Sequence, residues 1–567
     1  MLKGIAASHG IAIGRAYVIK EEKVDIKRIE ITDIDNQKSR LRKAIETAAD
    51  YLEELKKRTE EKLGADKGQI FEAHLFMLQD PEFINAIEMK IDDEKVAAEY
   101  AVNETVAQFV AIFESMDNDY MRERAADIKD VGGRLLNILL NRNNPSISEI
   151  DEECIVIVKD LTPSDTAQMD KEKVLGFVTE IGGRTSHSAI MARSLEIPAV
   201  VGVKGVTASI NHGDMLIIDG ENGEIIINPD KETISNYTKK KEEIAKTKKE
   251  LELLKELESV TVDGRVVEIA GNIGNPQDAE RVMANGGEGV GLFRTEFLYM
   301  SSDTLPTEEQ QFTAYKEALL KMKGNPVIIR TLDIGGDKHL SYLPIDDEMN
   351  PFLGYRAIRL CLDRKDIFKT QLRALFRASV YGKLKIMFPM VSGYNEIMEA
   401  KKIVNEVKKE LDNENIPYSH DVEIGIMIEI PSAAIMSDIL AKEVDFFSIG
   451  TNDLIQYTIA VDRMNEKISY LYDPFNPAVL RLIKLVIDNA HRAGKWVGVC
   501  GEMAGDLRVI PLLLGMGLDE FSMSASSILK ARKLIRSLNY EDTKKMVEDV
   551  LKLSSGDEVK KYIEENV

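Results

Sequence analysis

The sequence predicts a multidomain α/β protein: a small α/β domain with an inserted helical bundle, a helical linker and a C-terminal (β/α)8 barrel. Three observations support this prediction. The chain has 567 residues, which is too many for one ordinary hydrophobic core. A β-rich start is followed by a long helical stretch, and then by short strands that alternate with helices. The remainder contains eight strand-like apolar runs, most of them separated by helical patterns.

The small α/β domain is predicted to consist of residues 1–20 and 145–230, with the helical bundle, residues 21–144, inserted between them. Short strands such as CIVIVK and MLIIDG alternate with helices in the second part. In the bundle, apolar residues recur at steps of three and four along a long first helix, which indicates one buried face. These residues are Leu41, Ile45, Ala48, Leu52 and Leu55. The stretch 68–83 predicts a second helix that ends near Pro81.

Residues 231–259 are charged and helical in pattern, and we predict a helical linker. Residues 260–567 contain the eight strand-like runs, namely VVEIAGN, GVGLFRTE, PVIIRTLDI, LKIMFPM, EIGIMIEI, DFFSIGTND, WVGVCGEM and EFSMSA. Eight strand-then-helix units in this length are typical of a (β/α)8 barrel. A doubly wound open sheet is the alternative, but no Gly-rich nucleotide-binding loop follows the first strand.

The composition restricts the partners and the location. The formal net charge of −22 argues against broad binding to nucleic acid or to an anionic membrane. No apolar run approaches the roughly 20 residues of a membrane span, and Gly and Arg interrupt the N-terminal apolar stretch, so we expect no signal peptide. Cys154, Cys361 and Cys500 form no CxxC pair, which favours reduced thiols and a cytoplasmic protein.

Several of the predicted barrel strands end in polar residues, where the active residues of such barrels lie. They are Arg294, Arg330, Glu429, Asn452 with Asp453, and Cys500, and Arg463 follows downstream. Singly, such an Arg or Glu is most often a rim salt bridge and such a Cys a core residue. Together they would converge on one mouth, where guanidinium groups can hold a phosphate. Glu429 and Asp453 could act as an acid–base pair, but the neighbouring arginines favour a Mg²⁺ site beside a phosphate.

His187 lies in the stretch GGRTSHSAIMARSLEIPAVVG, at the point where a helix is predicted to begin. A helix N-terminus disfavours the imidazolium and stabilises an attached phosphate, and its free N–H groups can bind phosphate oxygens. Gly182 and Gly183 allow a close approach, and Arg184 adds a nearby cation. The alternative is that His187 is a polar first-turn residue without a special role.

These motifs, together with RTLDIGGDK, NPFLGYRAIR, IMIEIPSA, GVCGEMAGD and LGMGLDEFSMSA, closely resemble enzyme I of the bacterial phosphotransferase system, the phosphoenolpyruvate–protein phosphotransferase family. The resemblance covers the whole chain, with the motifs in family order. It implies that phosphoenolpyruvate phosphorylates a histidine, that pyruvate is released, and that the phosphoryl group passes to a histidine of the carrier protein HPr. This transfer is the first step of sugar transport by that system.

The resemblance also implies roles for individual residues. His187 would be phosphorylated, with Thr166 hydrogen-bonded to its resting imidazole, and Cys500 would protonate the pyruvate enolate. Glu429 and Asp453 would bind Mg²⁺. The substrate-binding positions would be Arg294, Arg330, Asn452, Asp453 and Arg463, together with Lys338 and Arg356. A thiol that is mostly protonated at neutral pH can supply the proton that the enolate needs.

The inserted helical domain is implied to dock HPr, with Arg124 in the matching motif RERAAD. His74 lies in the apolar stretch FEAHLFML, and we expect an exposed apolar patch there, rimmed by acids such as Glu72 and Asp80. The alternative is that Phe71, Leu75 and Leu78 are bundle core. The family is dimeric through its barrel, so a homodimer is expected.

Because the substrate site and His187 lie in different domains, we expect residues 1–230 to swivel about the linker helix.

Phosphoenolpyruvate synthase and pyruvate phosphate dikinase share these motifs, but nothing before residue 145 offers an ATP-grasp domain. A phosphorelay that feeds a regulatory carrier is a second alternative. A non-catalytic binding protein is a third, and it would be expected to lack some of the reactive residues.

Overall fold

The structure is a computed structural model that describes the chain except for residues 20–25, 64, 115–118, 143–146, 148–149, 162–164, 166–168, 171, 184–185, 196, 301, 303, 337, 339, 341, 347, 464, 466 and 567. Within helices, the side chains of residues 58–63, 65–70, 114, 119–124, 126, 187, 190, 194 and 248 also lie outside the description. The chain forms two compact units, Met1–Lys246 and Thr247–Val567.

The first unit contains an eight-stranded sheet built from both ends of its sequence. Its strands are β1 (Leu2–Lys3), β2 (Ile5–Ser8), β3 (Ile11–Val18), β4 (Cys154–Val158), β5 (Val174–Thr179), β6 (Ala199–Val201), β7 (Met215–Asp219) and β8 (Glu224–Ile227). The spatial order is β1-β8-β7-β3-β4-β5-β6-β2. β3 and β4 are parallel neighbours although more than a hundred residues separate them, so the helical segment is an insertion into this sheet.

The described residues of the inserted bundle form five helices: Ile34–Leu63, Ala65–Gln79, Pro81–Glu94, Ala98–Glu114 and Asp119–Leu139. The predicted face of the first helix is buried at Leu41, Ala48, Leu52 and Leu55. The second helix ends at Gln79 because Asp80 caps the next one: its Oδ1 accepts a hydrogen bond from Glu82 N (2.8 Å), and Pro81 occupies the first turn.

The remaining helices of the first unit include His187–Leu195 and Val206–Ser209, and the helix Lys231–Glu252 follows β8. This last helix is attached to the sheet through a buried carboxylate. Lys240 Nζ donates to Oδ2 of Asp219 (2.8 Å), which is only 1% exposed.

The second unit is a closed barrel of eight parallel strands. They are β9 (Glu268–Ile273), β10 (Gly289–Arg294), β11 (Val327–Arg330), β12 (Leu384–Phe388), β13 (Glu423–Ile428), β14 (Phe446–Ile449), β15 (Trp496–Val499) and β16 (Glu520–Met523). The longer helices that surround them are Glu308–Lys321, Lys365–Ala378, Tyr394–Asn413, Thr451–Ile459, Pro477–Arg492, Ile528–Ser537, Tyr540–Val550 and Gly556–Asn566. The predicted fold class is confirmed.

The strand register places polar residues at both ends of the barrel lumen. Glu268 and Glu520, the first residues of β9 and β16, are paired in register at the N-terminal end. Arg294 and Arg330, the last residues of β10 and β11, are paired at the C-terminal end. In the described part of the chain, no helix is long and apolar enough to cross a membrane.

Candidate active site

The structure brings the polar strand ends predicted from the sequence to the C-terminal end of the barrel. Arg294 and Arg330 end β10 and β11, and Glu429 directly follows β13. Asn452 and Asp453 lie in the first turn of the helix Thr451–Ile459 that follows β14. Cys500 follows β15, and its backbone N–H donates to the carbonyl oxygen of Ile449 at the end of β14 (3.2 Å).

Two carboxylates that the sequence analysis missed hold the cations of this site in place. Arg330 donates through Nη2 to Glu296 and forms an ion pair through Nη1 with Asp333 Oδ2 (3.1 Å). Lys338 Nζ donates to Glu296 Oε1 (2.8 Å). Arg356 Nη2 donates to Asp333 Oδ1 (2.8 Å). Glu296 and Asp333 follow strand-end arginines by two or three residues in RTE and RTLD, and this spacing was the available signal.

The network fixes the charge of its members. Although burial opposes ionisation, Arg330, Arg356 and Lys338 hold the pKa of the Asp333 carboxyl well below its usual range. Conversely, Glu296 and Asp333 raise the pKa of the Arg330 guanidinium against the effect of its burial. Arg330 and Asp333 are therefore held in their ionised forms before any anion arrives.

Several buried donors in this site have no acceptor among the described residues. Nε of Arg330, Nη1 of Arg356 and the hydroxyl of Thr451 lack hydrogen-bond partners. Buried polar groups are nearly always paired in folded proteins, so unpaired donors gathered in one place indicate a ligand with acceptor oxygens. Arg294 likewise makes no ion pair in the described part of the chain, and a partner for it would come from the same ligand.

Asn452 and Arg463 lie at the rim of the site. Asn452 Oδ1 accepts a hydrogen bond from the backbone N–H of Glu502 (3.2 Å), which fixes the amide and leaves its NH₂ as a donor. Burial raises the pKa of the Tyr472 hydroxyl to about 12, and Arg463, which hydrogen-bonds to it, partly opposes that rise.

Glu429 and Asp453 fit a divalent cation. Burial, together with the carboxylates of Asp453 and Asp333, raises the pKa of Glu429 to about 8. Its Oε1 accepts a hydrogen bond from the backbone N–H of Met390 (2.6 Å), while Oδ1 of Asp453 is buried without a partner. A methyl group on Gly450 would lie 3.0 Å from Glu429 Oε2, so glycine leaves that oxygen accessible.

These two carboxylates suit Mg²⁺, which is usually held by one or two protein carboxylates and completed by water and phosphate oxygens. The described residues contain no group of three or more His, Cys, Asp or Glu side chains that could hold a metal. Met390 has a φ of 58°, an unusual value for a residue other than glycine. Met390 is the residue whose backbone N–H donates to Glu429 Oε1, so this unusual backbone conformation lies next to the proposed metal ligand.

Cys500 is buried beneath this group, with 2% of its surface exposed. Its Sγ donates weakly to the carbonyl oxygen of Ile449 (3.8 Å). Burial raises the pKa of the thiol to about 11, so Cys500 is protonated at neutral pH and has the form that a general acid requires.

In the first unit, His187 is the first residue of the helix His187–Leu195. Ser186 precedes it and caps the helix, since its Oγ accepts a hydrogen bond from Ala189 N (3.4 Å) and donates to the carbonyl oxygen of Gly183 (2.8 Å). The expected position of His187 at a helix N-terminus thus agrees with the backbone. The imidazole itself, like Arg184 and Thr166, lies outside the described residues.

His74 itself is buried, whereas Phe76 in the same stretch is 71% exposed, and partner binding around His74 stays a prediction. His74 is 1% exposed, and Phe71 and Leu78 are buried as core residues. Nε2 of His74 lies 3.2 Å from Asp127 Oδ1, which gives the buried imidazole the polar partner it needs. The side chain of Arg124 lies outside the described residues.

Known proteins similar to this chain share its full length. Three family models match it: PEP-utilising enzyme, N-terminal (residues 3–124), PEP-utilising enzyme, mobile domain (150–223) and PEP-utilising enzyme, PEP-binding domain (248–540). The phosphoenolpyruvate-protein phosphotransferase of Staphylococcus carnosus is 56% identical over 564 residues, covering 100% of this chain and 98% of its own. That of Priestia megaterium is 56% identical over 562 residues, covering 99% and 98%.

An NMR solution structure of Enzyme I is 47% identical, with a TM-score of 0.40, and covers 43% of this chain and 100% of its own. The identity with the curated relatives extends over the sheet, the bundle and the barrel alike. The chain therefore belongs to the phosphoenolpyruvate–protein phosphotransferase family and catalyses phosphoenolpyruvate-dependent phosphoryl transfer.

Proposed function

We propose that the chain transfers the phosphoryl group of phosphoenolpyruvate to His187 and then to a histidine of the carrier protein HPr, releasing pyruvate, as the first step of sugar phosphotransferase transport. The observation that carries this proposal is the group of buried, unpartnered donors beside Glu429 and Asp453. A ligand that satisfies them must carry several acceptor oxygens, and phosphoenolpyruvate offers both a phosphate and a carboxylate.

Substrate binding is assigned to the cations of the barrel. Arg294 and Arg330 form a pair on adjacent strand ends and would hold the phosphate through bidentate hydrogen bonds. Arg356 and Lys338 add positive charge from the other side of Asp333. Asn452 and Arg463, at the rim, would orient the substrate through the Asn452 amide and the Arg463 guanidinium. This arrangement lowers the barrier mainly by positioning and by neutralising charge.

A magnesium ion held by Glu429 and Asp453 would neutralise phosphate charge and orient the phosphoryl group. The protein residues do the rest. The Met390 N–H fixes one oxygen of Glu429, and Gly450 leaves room at the other.

His187 is the proposed nucleophile. To attack phosphorus, the imidazole must be neutral, and afterwards it must carry a phosphoryl dianion. The partial positive charge of a helix N-terminus serves both needs, because it disfavours the imidazolium and stabilises the attached anion. Arg184 and Thr166 are proposed to assist, as a nearby cation and as a hydrogen-bond partner of the resting imidazole.

Cys500 is the proposed proton donor. When the bond between phosphorus and the bridging oxygen breaks, the substrate becomes the enolate of pyruvate, which must gain a proton on C3. The thiol is protonated at neutral pH and lies under the substrate-binding arginines, so it can supply that proton.

Transfer to HPr is proposed to require movement, because His187 and the barrel site belong to different compact units. Each unit binds its own end of the connecting segment. Asp219 holds Lys240 in the first unit, and in the second the guanidinium of Arg532 donates to the backbone carbonyl oxygens of Leu254 (3.2 Å) and Lys255 (2.8 Å). We propose that the swivel occurs in the residues between these attachments.

The inserted bundle is proposed to dock HPr, with Arg124 as a contact. The protein is proposed to be a cytoplasmic homodimer joined through its barrel.

The test of the proposed function is incubation with Mg²⁺ and phosphoenolpyruvate labelled in the phosphoryl group. We expect an acid-labile label on the full chain, lost in His187→Ala and retained in the matched control His9→Ala, which changes an exposed histidine of the same unit. Addition of HPr should discharge the label. Label on His187→Ala would exclude the assigned histidine, and label that HPr fails to discharge would point to another carrier.

A further inference from the structure

A buried glutamate lies in the barrel lumen below the Cys500 thiol. Glu520 begins β16 and is 3% exposed, and its Oε1 has no hydrogen-bond partner among the described residues. In the strand register it lies opposite Gly498, two residues before Cys500. A buried carboxyl without a partner is costly unless it is neutral. Neither substrate binding nor phosphoryl transfer, as assigned above, uses this group.

The charged groups that face Glu520 favour its neutral form. Glu268 lies on β9, Lys385 on β12 and Asp519 precedes it in the chain. Burial, reinforced by Glu268 and Asp519 and only partly opposed by Lys385, raises the pKa of Glu520 to about 8. Burial likewise raises the pKa of Glu268 to about 7. Glu520 therefore carries a proton at neutral pH.

Ser448 offers a hydroxyl on the far side of Gly498 from this carboxyl. Ser448 on β14 is paired with Gly498 on β15, which is paired with Glu520 on β16, so only the glycine separates the two residues along this row of the barrel. A methyl group on Gly498 would lie only 3.2 Å from Glu520 Cδ, so the carboxyl faces the space that the glycine leaves. Ser448 Oγ is buried without a partner of good hydrogen-bond geometry, yet it is near enough to the Cys500 thiol to oppose the rise in pKa that burial causes.

We infer that Glu520 returns a proton to Cys500 through the Ser448 hydroxyl after each turnover. This inference rests on the proposed role of Cys500 as proton donor. Glu520 and Ser448 are positioning residues in this scheme, since they act through the thiol and do not touch the substrate. The direction is downhill, because the thiolate of Cys500 is a stronger base than the carboxylate of Glu520.

Water is the final source of the proton that Cys500 gives to pyruvate. The S–H bond of Cys500 breaks as the C3–H bond of pyruvate forms. The thiolate takes the proton of Ser448 Oγ, while Ser448 Oγ takes the proton of the Glu520 carboxyl through one water molecule in the space over Gly498. The Glu520 carboxylate regains a proton from solvent at the N-terminal end of the barrel, past Glu268.

The lumen offers a matched control hydroxyl. A methyl group on Gly291 would lie 2.0 Å from Glu520 Oε1 and 2.5 Å from Ser522 Oγ, so Ser522 also faces the carboxyl. Its proton, however, is engaged in a hydrogen bond to Asn272 Oδ1 (2.6 Å). Ser522→Ala therefore removes a hydroxyl of the same lumen without interrupting the inferred path.

The test is isotope exchange in D₂O with Mg²⁺, phosphoenolpyruvate and carbon-labelled pyruvate. Carbon label enters phosphoenolpyruvate when the reaction runs forwards and backwards. That exchange needs no proton return, since Cys500 regains its proton from pyruvate itself. Deuterium enters C3 only if the Cys500 proton exchanges with solvent. The ratio of deuterium to carbon exchange thus measures proton return separately from phosphoryl transfer.

We expect Glu520→Gln and Ser448→Ala to keep carbon exchange within about twofold of the unmodified chain but to lower the deuterium ratio at least about tenfold. Ser522→Ala should leave the ratio unchanged, and retained carbon exchange also shows that each variant is folded. A normal deuterium ratio in Glu520→Gln or in Ser448→Ala would overturn the inference. Absence of carbon exchange in the unmodified chain would instead contradict the proposed function, and the inferred proton return from Glu520 would fall with it.

Discussion

The two ends of the barrel lumen bury carboxyl groups under opposite electrostatic conditions. At the C-terminal end, Asp333 contacts Arg330, Arg356 and Lys338, and these cations hold its pKa well below the usual range. At the N-terminal end, burial raises the pKa values of Glu268 and Glu520 to about 7 and about 8. Asp333 and Glu520 are both almost fully buried, so the neighbouring charges decide which of these two carboxyls is ionised.

The cation at the N-terminal end is committed to other partners. Lys385 Nζ forms an ion pair with Glu423 Oε2 (3.0 Å) and lies over the Trp496 ring, 4.1 Å from its centroid. Trp496 in turn stacks on Phe446 with ring centroids 4.5 Å apart. The effect of Lys385 on the pKa values of Glu268 and Glu520 is therefore smaller than that of their burial. The cations around Asp333 are available to an anion, whereas Glu520 keeps a proton.

The largest effect is expected from Arg330→Met, which removes a cation at the C-terminal end. Glu296 and Asp333 would remain buried with one ion-pair partner fewer, and a broken buried network costs about 3–5 kcal/mol of stability. Phosphorylation by phosphoenolpyruvate should fall by about 10³-fold or more, because a phosphate-binding donor is lost. Thermal denaturation and label incorporation measure the two effects. A variant of ordinary stability and activity would show that the network is dispensable.

Glu520→Gln should reveal the stored proton as a pH dependence of stability. Folded Glu520 keeps a proton that the unfolded chain releases above its ordinary pKa, so folding becomes less favourable as pH rises towards 8. Glutamine removes that penalty. We expect a gain of about 2–4 kcal/mol over the unmodified chain at pH 8, shrinking towards zero near pH 5.

Thermal denaturation from pH 5 to pH 8 checks this prediction. Glu423→Gln is the matched control, because the Glu423 side chain is 41% exposed and should show no such gain. A constant difference between Glu520→Gln and the unmodified chain across this pH range would mean that Glu520 is ionised in the folded protein, and the contrast between the two ends would fail.

Gly450→Ala tests how tightly the C-terminal end is packed. A methyl group there would lie 2.9 Å from Met427 Sδ and 3.0 Å from Glu429 Oε2. Overpacking of this kind costs about 1–3 kcal/mol. The crowded oxygen should also weaken Mg²⁺ binding, which titration with Mg²⁺ followed by calorimetry can measure. Unchanged Mg²⁺ affinity would argue against Glu429 as a ligand.

The smallest effect is expected from Lys385→Met at the N-terminal end. The carboxyls beside it are largely neutral, and its ion pair with Glu423 is partly exposed, so the loss should be below about 1 kcal/mol at pH 6. Phosphorylation by phosphoenolpyruvate should stay within about twofold, since the methylene stem can still pack on Trp496. A loss as large as that of Arg330→Met would erase the distinction between the two ends.

The polar residues at the strand ends of the barrel were predictable from the sequence, because the active residues of (β/α)8 barrels lie at the C-terminal ends of their strands. Seven of the eight predicted strand runs continue past the C-terminal end of the observed strand, as in DFFSIGTND, where β14 ends at Ile449; VVEIAGN ends one residue before β9 does. Polar residues lie beyond the strand ends in all of these runs except LKIMFPM. The apolar runs therefore located Asp453 and Cys500, although they placed the end of these strands too late.

The pairing within the site was not predictable in the same way. Glu296 begins the helix Glu296–Met300 after β10, whereas Asp333 lies in the loop after β11, and only the closed barrel shows that both contact Arg330. The burial of His74 was not predictable for a related reason. An apolar helix with one histidine fits an exposed patch and a core equally well, and the deciding residue, Asp127, is 53 positions away. Contacts between residues that are distant in the sequence cannot be predicted from the local spacing of residue types.

If the barrel cations bind phosphoenolpyruvate as proposed, the ion pairs of Glu296 and Asp333 also affect the release of pyruvate. Both carboxylates contact the same guanidinium and ammonium groups that a substrate phosphate would use, so they compete with it for those groups at all times. A bound dianion can draw the cations away from them. Once the phosphoryl group has left, pyruvate offers a single negative charge, and the internal carboxylates reclaim their partners. Built-in competitors of this kind favour fast product departure over tight binding.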